Sequence, residues 1–196
     1  MAYLSLASLW LPIVVSAAFV FVASSIIWML TPLHKHDYKD PGEKEGRLLN
    51  FLRQEAFAPG LYYVPWANHK NMKEPAVQEK ITRGPWALLN VMPGMPNMGQ
   101  NLGLWFVHNL IVATLVAYIA SHSLIAGANY LKVFQIVGTA AILAHAGYAL
   151  PMCIWHGTPW SQLPGRLIDG LFYGLLTAGV FGWLWPSMPG AVPRLG

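Results

Sequence analysis

One cysteine, Cys153, among 196 residues excludes an internal disulfide, a cysteine-only zinc site and any cluster held by this chain's thiolates alone. Charge is scarce too. Asp, Glu, Lys and Arg make up 10% of the chain, against about 25% in a soluble domain. No basic run is long enough to hold nucleic acid, so none is expected as a partner. HExxH, GxSxG and paired carboxylates within an apolar run are all missing, and no catalytic residue or metal site is assigned. No internal repeat is visible, so the paired halves common in transporters are missing as well.

What is plentiful is apolar surface. Hydrophobic residues are 55% of the chain, and they fall into long blocks, which points to lipid as the solvent. From Ser8 to Leu30 the chain is apolar or small for 23 residues. At 1.5 Å per residue that crosses a hydrocarbon core of about 30 Å. Residues 1–7 hold no basic side chain. A cleaved signal peptide needs a basic start and a shorter apolar core, so a retained span within residues 1–30 is expected. Further spans are expected over about 101–122, 130–155 and 167–186. Together these make a three-span bundle over 100–186, followed by a short tail, 187–196.

Residues 31–99 differ in kind. They carry nine of the twelve basic residues and seven of the eight acids. Asp40-Pro41-Gly42-Glu43 reads as a helix start, with an N-cap Asp, Pro in the first turn and Glu behind it. The helix that follows is amphipathic, with Leu48, Leu49, Leu52 and Ala56 on one side, suited to rest on a bilayer surface or on the rest of the loop. Pro59-Gly60 ends it. Leu61–Trp66 and Trp86–Met92 look extended and could pair as a hairpin, and Glu74-Pro75 opens a short helix to about Ile81. Tyr62, Tyr63, Trp66 and Trp86 make the segment too aromatic for a disordered tail. The fold class expected is therefore an all-α integral membrane protein with four transmembrane helices and an insert of about seventy residues between the first two. Basic residues in loops favour the cytoplasm. That places 31–99 on the cytoplasmic side and both termini on the periplasmic side.

Gly170, Gly174, Ala178 and Gly182 recur every fourth position and so share one helix face. In lipid a face of small residues lets another backbone approach closely, and these four are read as a packing stripe. Two histidines lie within spans. His108 sits seven residues into the second span and His145 about ten residues before the end of the third. Helical rise brings them to within roughly 5 Å of one depth. Antiparallel neighbours with histidines at one depth could bind haem b between them, or one could ligate a pigment. The competing reading is polar glue, a neutral imidazole donating one hydrogen bond to a neighbouring helix.

Other polar residues are read more plainly. His34 and His36, with Asp37 beside them and His69 further along, read as solvated interface residues rather than a shared metal site. Asp169 has Arg166 three residues before it, a spacing suited to an interfacial ion pair. Asp169, Tyr173 and Thr177 form a polar line for which a proton path is conceivable. Met92, Met95 and Met98 are gap fillers before they are copper ligands.

Three stretches, SLASLWLPIVVSAAFVFVASSIIWM at 5–29, KITRGPWALLNVMPGMPNMGQNLGLWF at 80–106 and DGLFYGLLTAGVFGWLWP at 169–186, resemble a widespread family of bacterial integral membrane proteins usually labelled only as hypothetical. The resemblance implies a bacterial inner (cytoplasmic) membrane and no substrate, cofactor or catalytic residue. The expected function is that of a non-catalytic accessory or structural subunit of a membrane assembly, with the bilayer and other membrane subunits or further copies of itself as partners. A haem b or pigment-binding redox subunit is the alternative, and a small transporter or membrane enzyme a further one.

Overall fold

The computed structural model describes residues 4–187; most of the expected tail lies outside the described residues. The chain divides into two compact units. One comprises the residues up to Tyr38 together with those from Met98 onward, and the other is Lys39–Asn97.

The larger unit is helical. A 3-10 turn, Leu6–Leu9, leads into α1, Trp10–Leu30. Two α-helices and a hairpin of the smaller unit come next in the chain, so the larger unit resumes at α4, Met98–Ser123, and continues with α5, Tyr130–Ala146, α6, Ala149–Trp155, and α7, Leu163–Trp183. Among the described residues three stretches are long and apolar enough to cross a membrane: Leu6–Leu30, Met98–Ser123 and Tyr130–Trp155. α7 is 21 residues long, but its first turns carry Arg166 and Asp169. It starts and stops a few residues earlier than expected.

The third stretch is not one continuous helix. It breaks between α5 and α6 at Gly147-Tyr148. The cause is legible in Pro151, which has no N–H for the Gly147 carbonyl and whose ring crowds that position. Gly147 is required there as well, because a Cβ on it would collide with the Leu143 carbonyl oxygen.

α1 packs against α4 and α7, and α5 packs against α4 and most extensively against α7. The four therefore close a ring. The small-residue stripe of α7 faces inward, onto α5. A Cβ on Gly170 would stand 2.5 Å from Ala146 Cβ and 2.8 Å from its backbone nitrogen, one on Gly174 would stand 2.8 Å from the Ile142 nitrogen, and one on Gly138 would meet Ala178 Cβ at 3.2 Å. Each step of four up α7 is a step of four down α5, as antiparallel close packing requires. Gly182 completes the stripe under the ring of Tyr130.

One half of the ring is filled. Leu9, Ile13, Ala17, Val112, Val116, Val133, Val137, Ala178 and Phe181 form a continuous buried core there. Its end is strapped shut: the Trp185 indole N–H donates to the Ile125 carbonyl at 3.0 Å, and the Gly127 N–H donates to the Pro186 carbonyl at 2.8 Å.

The smaller unit holds α2, Glu45–Glu55, β1, Gly60–Val64, α3, Pro75–Arg83, and β2, Ala87–Val91. β1 and β2 pair antiparallel with Tyr62 opposite Leu89, so the chain is not purely helical. α2 begins later than the Asp40 cap suggests. Asp40 Oδ1 does accept the Gly42 N–H at 2.7 Å. However, Gly42 has φ +59°, a left-handed geometry that cannot continue a right-handed helix, and a 3-10 turn, Gly42–Lys44, intervenes. Ala56, also left-handed at φ 48°, closes α2. Within its unit α2 buries no residue, and Leu48, Leu49 and Phe51 are exposed.

Candidate functional site

The other half of the helix ring is hollow. A cavity of about 770 Å³ lies among Ser24, Ser25, Trp28 and Met29 of α1, Met98, Leu102, Trp105 and His108 of α4, Ala144, His145, Tyr148, Ala149 and Met152 of α5, α6 and their junction, and Arg166, Asp169 and Tyr173 of α7. The volume is that of a small-molecule site, for which about 300–1,000 Å³ is usual. Met29, Met98 and Arg166 stand at helix ends, whereas His108 and Tyr173 lie ten residues inside α4 and α7. The cavity thus reaches about 15 Å into the bundle.

The structure brings His108 and His145 together. Their ring centroids are 6.2 Å apart with planes at 74°. Trp105, one turn before His108, stacks on it at 5.2 Å. Tyr173 meets His145 at 5.5 Å and Trp105 at 6.4 Å. These four rings close a circuit on the cavity wall, two from α4 facing one each from α5 and α7. Such separations are those of edge-to-face aromatic contact, so the circuit holds without an occupant. Two imidazoles on opposite sides of one metal, each nitrogen about 2 Å from it, also place ring centroids roughly 6 Å apart. The Trp105 indole N–H donates to Ser24 Oγ at 2.8 Å, which ties α4 to α1 at the same level.

At the mouth lies a polar cluster that reasoning from spacing missed. After α1, Pro32–His34 forms a 3-10 turn, and the Thr31 side chain accepts the Leu33 N–H at its start. The turn folds His34 back so that its ring stacks on Trp28 at 3.8 Å, with planes 4° apart. His34 is buried, not solvated as expected. Its Nδ1 lies 2.9 Å from Asp37 Oδ2 and its Nε2 3.0 Å from Asp169 Oδ2, the second contact being close but not aligned as a hydrogen bond. A neutral imidazole has one N–H. Two carboxylates on its two nitrogens therefore require one further proton within the trio, on the ring or on a carboxyl.

The expected Arg166–Asp169 pair does not form; no ion pair within 4 Å joins them among the described residues. Arg166 Nη2 instead donates to Gln162 Oε1 at 3.0 Å, and the Gln162 side-chain amide donates to the Asp37 carbonyl. Asp169 lies against His34 because, in a low-dielectric site, a nearby buried partner outweighs a flexible one at the rim. Among the described residues, Asp169 Oδ1, Tyr173 Oη and Arg166 Nε are buried without an aligned hydrogen-bond partner, and the Trp28 indole lies beside both Asp169 and Tyr173. Thr177, the last of the expected polar line, is buried and returns its hydroxyl to the Tyr173 carbonyl at 2.8 Å. Gly165 makes room for His34, since a Cβ there would stand 3.3 Å from the ring. His36 and His69 are exposed.

Compared with known proteins, the chain matches no family model, no curated protein and no solved structure. The chemistry of the cavity is read from its own residues. Its wall is mostly apolar and aromatic, with imidazoles at depth and opposite charges at the mouth. Such a wall has the character of small-molecule pockets, apolar surface with a few placed polar groups.

Proposed function

We propose that this chain is a four-span protein of a bacterial inner membrane, with α7 as the fourth span and residues 31–99 on the cytoplasmic side, and that it serves as a binding subunit. Its helix ring holds one largely apolar small molecule and presents it to a larger membrane assembly. The observation that carries this reading is the asymmetry of the ring: one half is packed to the core, and the other leaves about 770 Å³ empty behind a wall of oriented rings. The space is half open, so it is filled by whatever surrounds the bundle, and its mostly apolar wall favours an apolar occupant over water.

The test is to purify the protein in a mild detergent and identify tightly held small molecules by native mass spectrometry, alongside Ala144→Trp. Ala144 lines the cavity beside His145, and an indole there obstructs the part of it next to the imidazoles. One molecule per chain, lost in the variant, is the expected result. Loss of nothing, because nothing is held, would refute the reading.

A second reading, haem b or a pigment, is favoured by one observation, the approach of His108 and His145 to 6.2 Å. A visible absorption spectrum of the same preparation tests it. A protein that is colourless as purified, and that neither shifts the Soret band of added haemin nor gives the sharp visible bands of a bis-imidazole haem on reduction, rules it out.

A further inference from the structure

We infer that the cavity's ligand is an amphiphile with a zwitterionic head, of the ethanolamine-phospholipid class, with its phosphate on Arg166 and its ammonium on Asp169. This rests on the cavity being a binding site, as proposed above.

The charge pattern at the mouth carries it. Arg166 and Asp169 both line the cavity, one turn apart at the start of α7. At that spacing they are placed to pair, yet each turns elsewhere: Arg166 to Gln162 at 3.0 Å, and Asp169 to His34 at 3.0 Å. Among the described residues Arg166 Nε and Asp169 Oδ1 have no aligned hydrogen-bond partner, the Trp28 indole being the other donor beside the Asp169 carboxyl. An anionic head would meet Arg166 but lie against Asp169, and a cationic head would meet Asp169 but lie against Arg166. Unpaired like charge in a desolvated site is costly. A head carrying both signs satisfies both residues and leaves the site neutral. Phosphate suits the planar guanidinium, and a primary ammonium can donate to a carboxylate oxygen whereas a trimethylated one cannot.

The rest of the cavity fits the rest of such a molecule. Met29, Met98 and Leu102 extend the lining with flexible apolar side chains, a surface that adapts to an acyl chain. The Arg166 level is also where a headgroup lies: α1 ends at Leu30 on the same side, and charged side chains near helix ends sit at the depth of the polar interface. The cavity takes the head and the first part of the chains, and the remainder lies among bilayer lipids.

The test is lipid retention. The full chain is transferred into detergent with ethanolamine, choline and glycerol phospholipids of identical acyl chains in equal amounts, and bound lipid is counted by native mass spectrometry. Soluble phosphoethanolamine is added as a competitor in a parallel arm. The expected result is one ethanolamine lipid per chain, preferred about tenfold or more over the other two. Arg166→Gln and Asp169→Asn should each remove the preference, and Arg166→Lys should keep part of it. Competition by phosphoethanolamine alone would assign the site to the free head rather than to the lipid and overturn the inference. Equal retention of the three lipids, or an unchanged preference in Arg166→Gln, would also overturn it. Should a molecule without a zwitterionic head be held and then displaced by Ala144→Trp, the binding reading stands and this inference falls. Should nothing be held at all, both fall.

Discussion

Gly174→Ala tests the packing on which the site is built. A Cβ at Gly174 would stand 2.8 Å from the backbone nitrogen and 3.0 Å from the Cα of Ile142. Carbon contacts settle at about 3.5–4.0 Å, so α5 and α7 must part locally by roughly 0.5–1 Å, and a gap of that size forfeits about a quarter to a half of each neighbouring dispersion contact. Backbone lies on the far side, and no rotamer change relieves the clash. The expected cost is that of overpacking, about 1–3 kcal/mol. Ala also raises helix propensity by about 0.8–1.0 kcal/mol over Gly, which masks part of that cost. Gly179→Ala separates the two effects, because a Cβ there would meet only Tyr130 Oη, at an ordinary 3.8 Å. The propensity gain is common to both variants and cancels, so the difference between them should be the overpacking cost itself, about 1–3 kcal/mol, or roughly 2–12 °C in melting midpoint for a chain of this size. The buried thiol of Cys153 is the chain's single cysteine and reports unfolding directly when a thiol-reactive fluorophore is present during heating. If Gly174→Ala melts together with Gly179→Ala, the stripe is not the α5–α7 contact described here.

The mouth cluster and the smaller unit yield further predictions. His34→Ala leaves two buried carboxylates without their shared partner and should destabilise by about 3 kcal/mol or more. Asp169→Asn in the same background should recover part of that, and additivity of the two substitutions in a double-mutant cycle would contradict the coupling. Trp185→Phe removes the indole donor to the Ile125 carbonyl and should cost about 1 kcal/mol, read as a lower melting midpoint. Phe51→Cys in a Cys153→Ala background places a spin label on the exposed apolar face of α2. Collision with oxygen should exceed collision with a water-soluble nickel complex if that face lies on lipid, and the reverse ranking would place it in water. For orientation, Lys39→Cys and Lys73→Cys should resist an impermeant maleimide in intact cells and react in inverted vesicles. Labelling from outside would reverse the topology proposed.

Which features were readable from residue order follows from how far apart the interacting groups lie. The three long apolar stretches stand out because lipid leaves a backbone no solvent partner and so demands continuous runs. His108 and His145 could be brought to one depth by arithmetic, since α4 and α5 are joined by a short link and helical rise is fixed. The small-residue stripe announced a close approach but not its target. Ile142 and Ala146, four apart on α5 with Gly138 below them, carry the complementary spacing, and only the contact itself shows that the two faces meet. His34 and Asp169 were misread because 135 residues separate them and no local rule links a turn after one span to the start of another. The Arg166–Asp169 spacing pointed to a pair that a distant, better-buried partner then displaced.

The cavity is a harder case, because it consists of space that side chains do not fill, and each residue around it reads singly as core or interfacial belt. Its signal is a gradient of residue size along the spans. In α4 the buried face of the filled half is Val112, Ala113, Val116, Ala117 and Ala120, and the hollow half carries Trp105 and His108. In α1 the filled half buries Ile13 and Ala17 and the hollow half presents Trp28. In α7 Gly174 and Ala178 approach α5 while Tyr173 turns its ring to Trp105 and His145. Small residues bring backbones together until little space remains, whereas flat rings meeting edge to face leave gaps that neighbouring chains cannot enter. The inward faces of α1 and α4 are therefore aliphatic or small where the ring is filled and aromatic where it is hollow, and the hollow end is the one that carries the charged residues of α7.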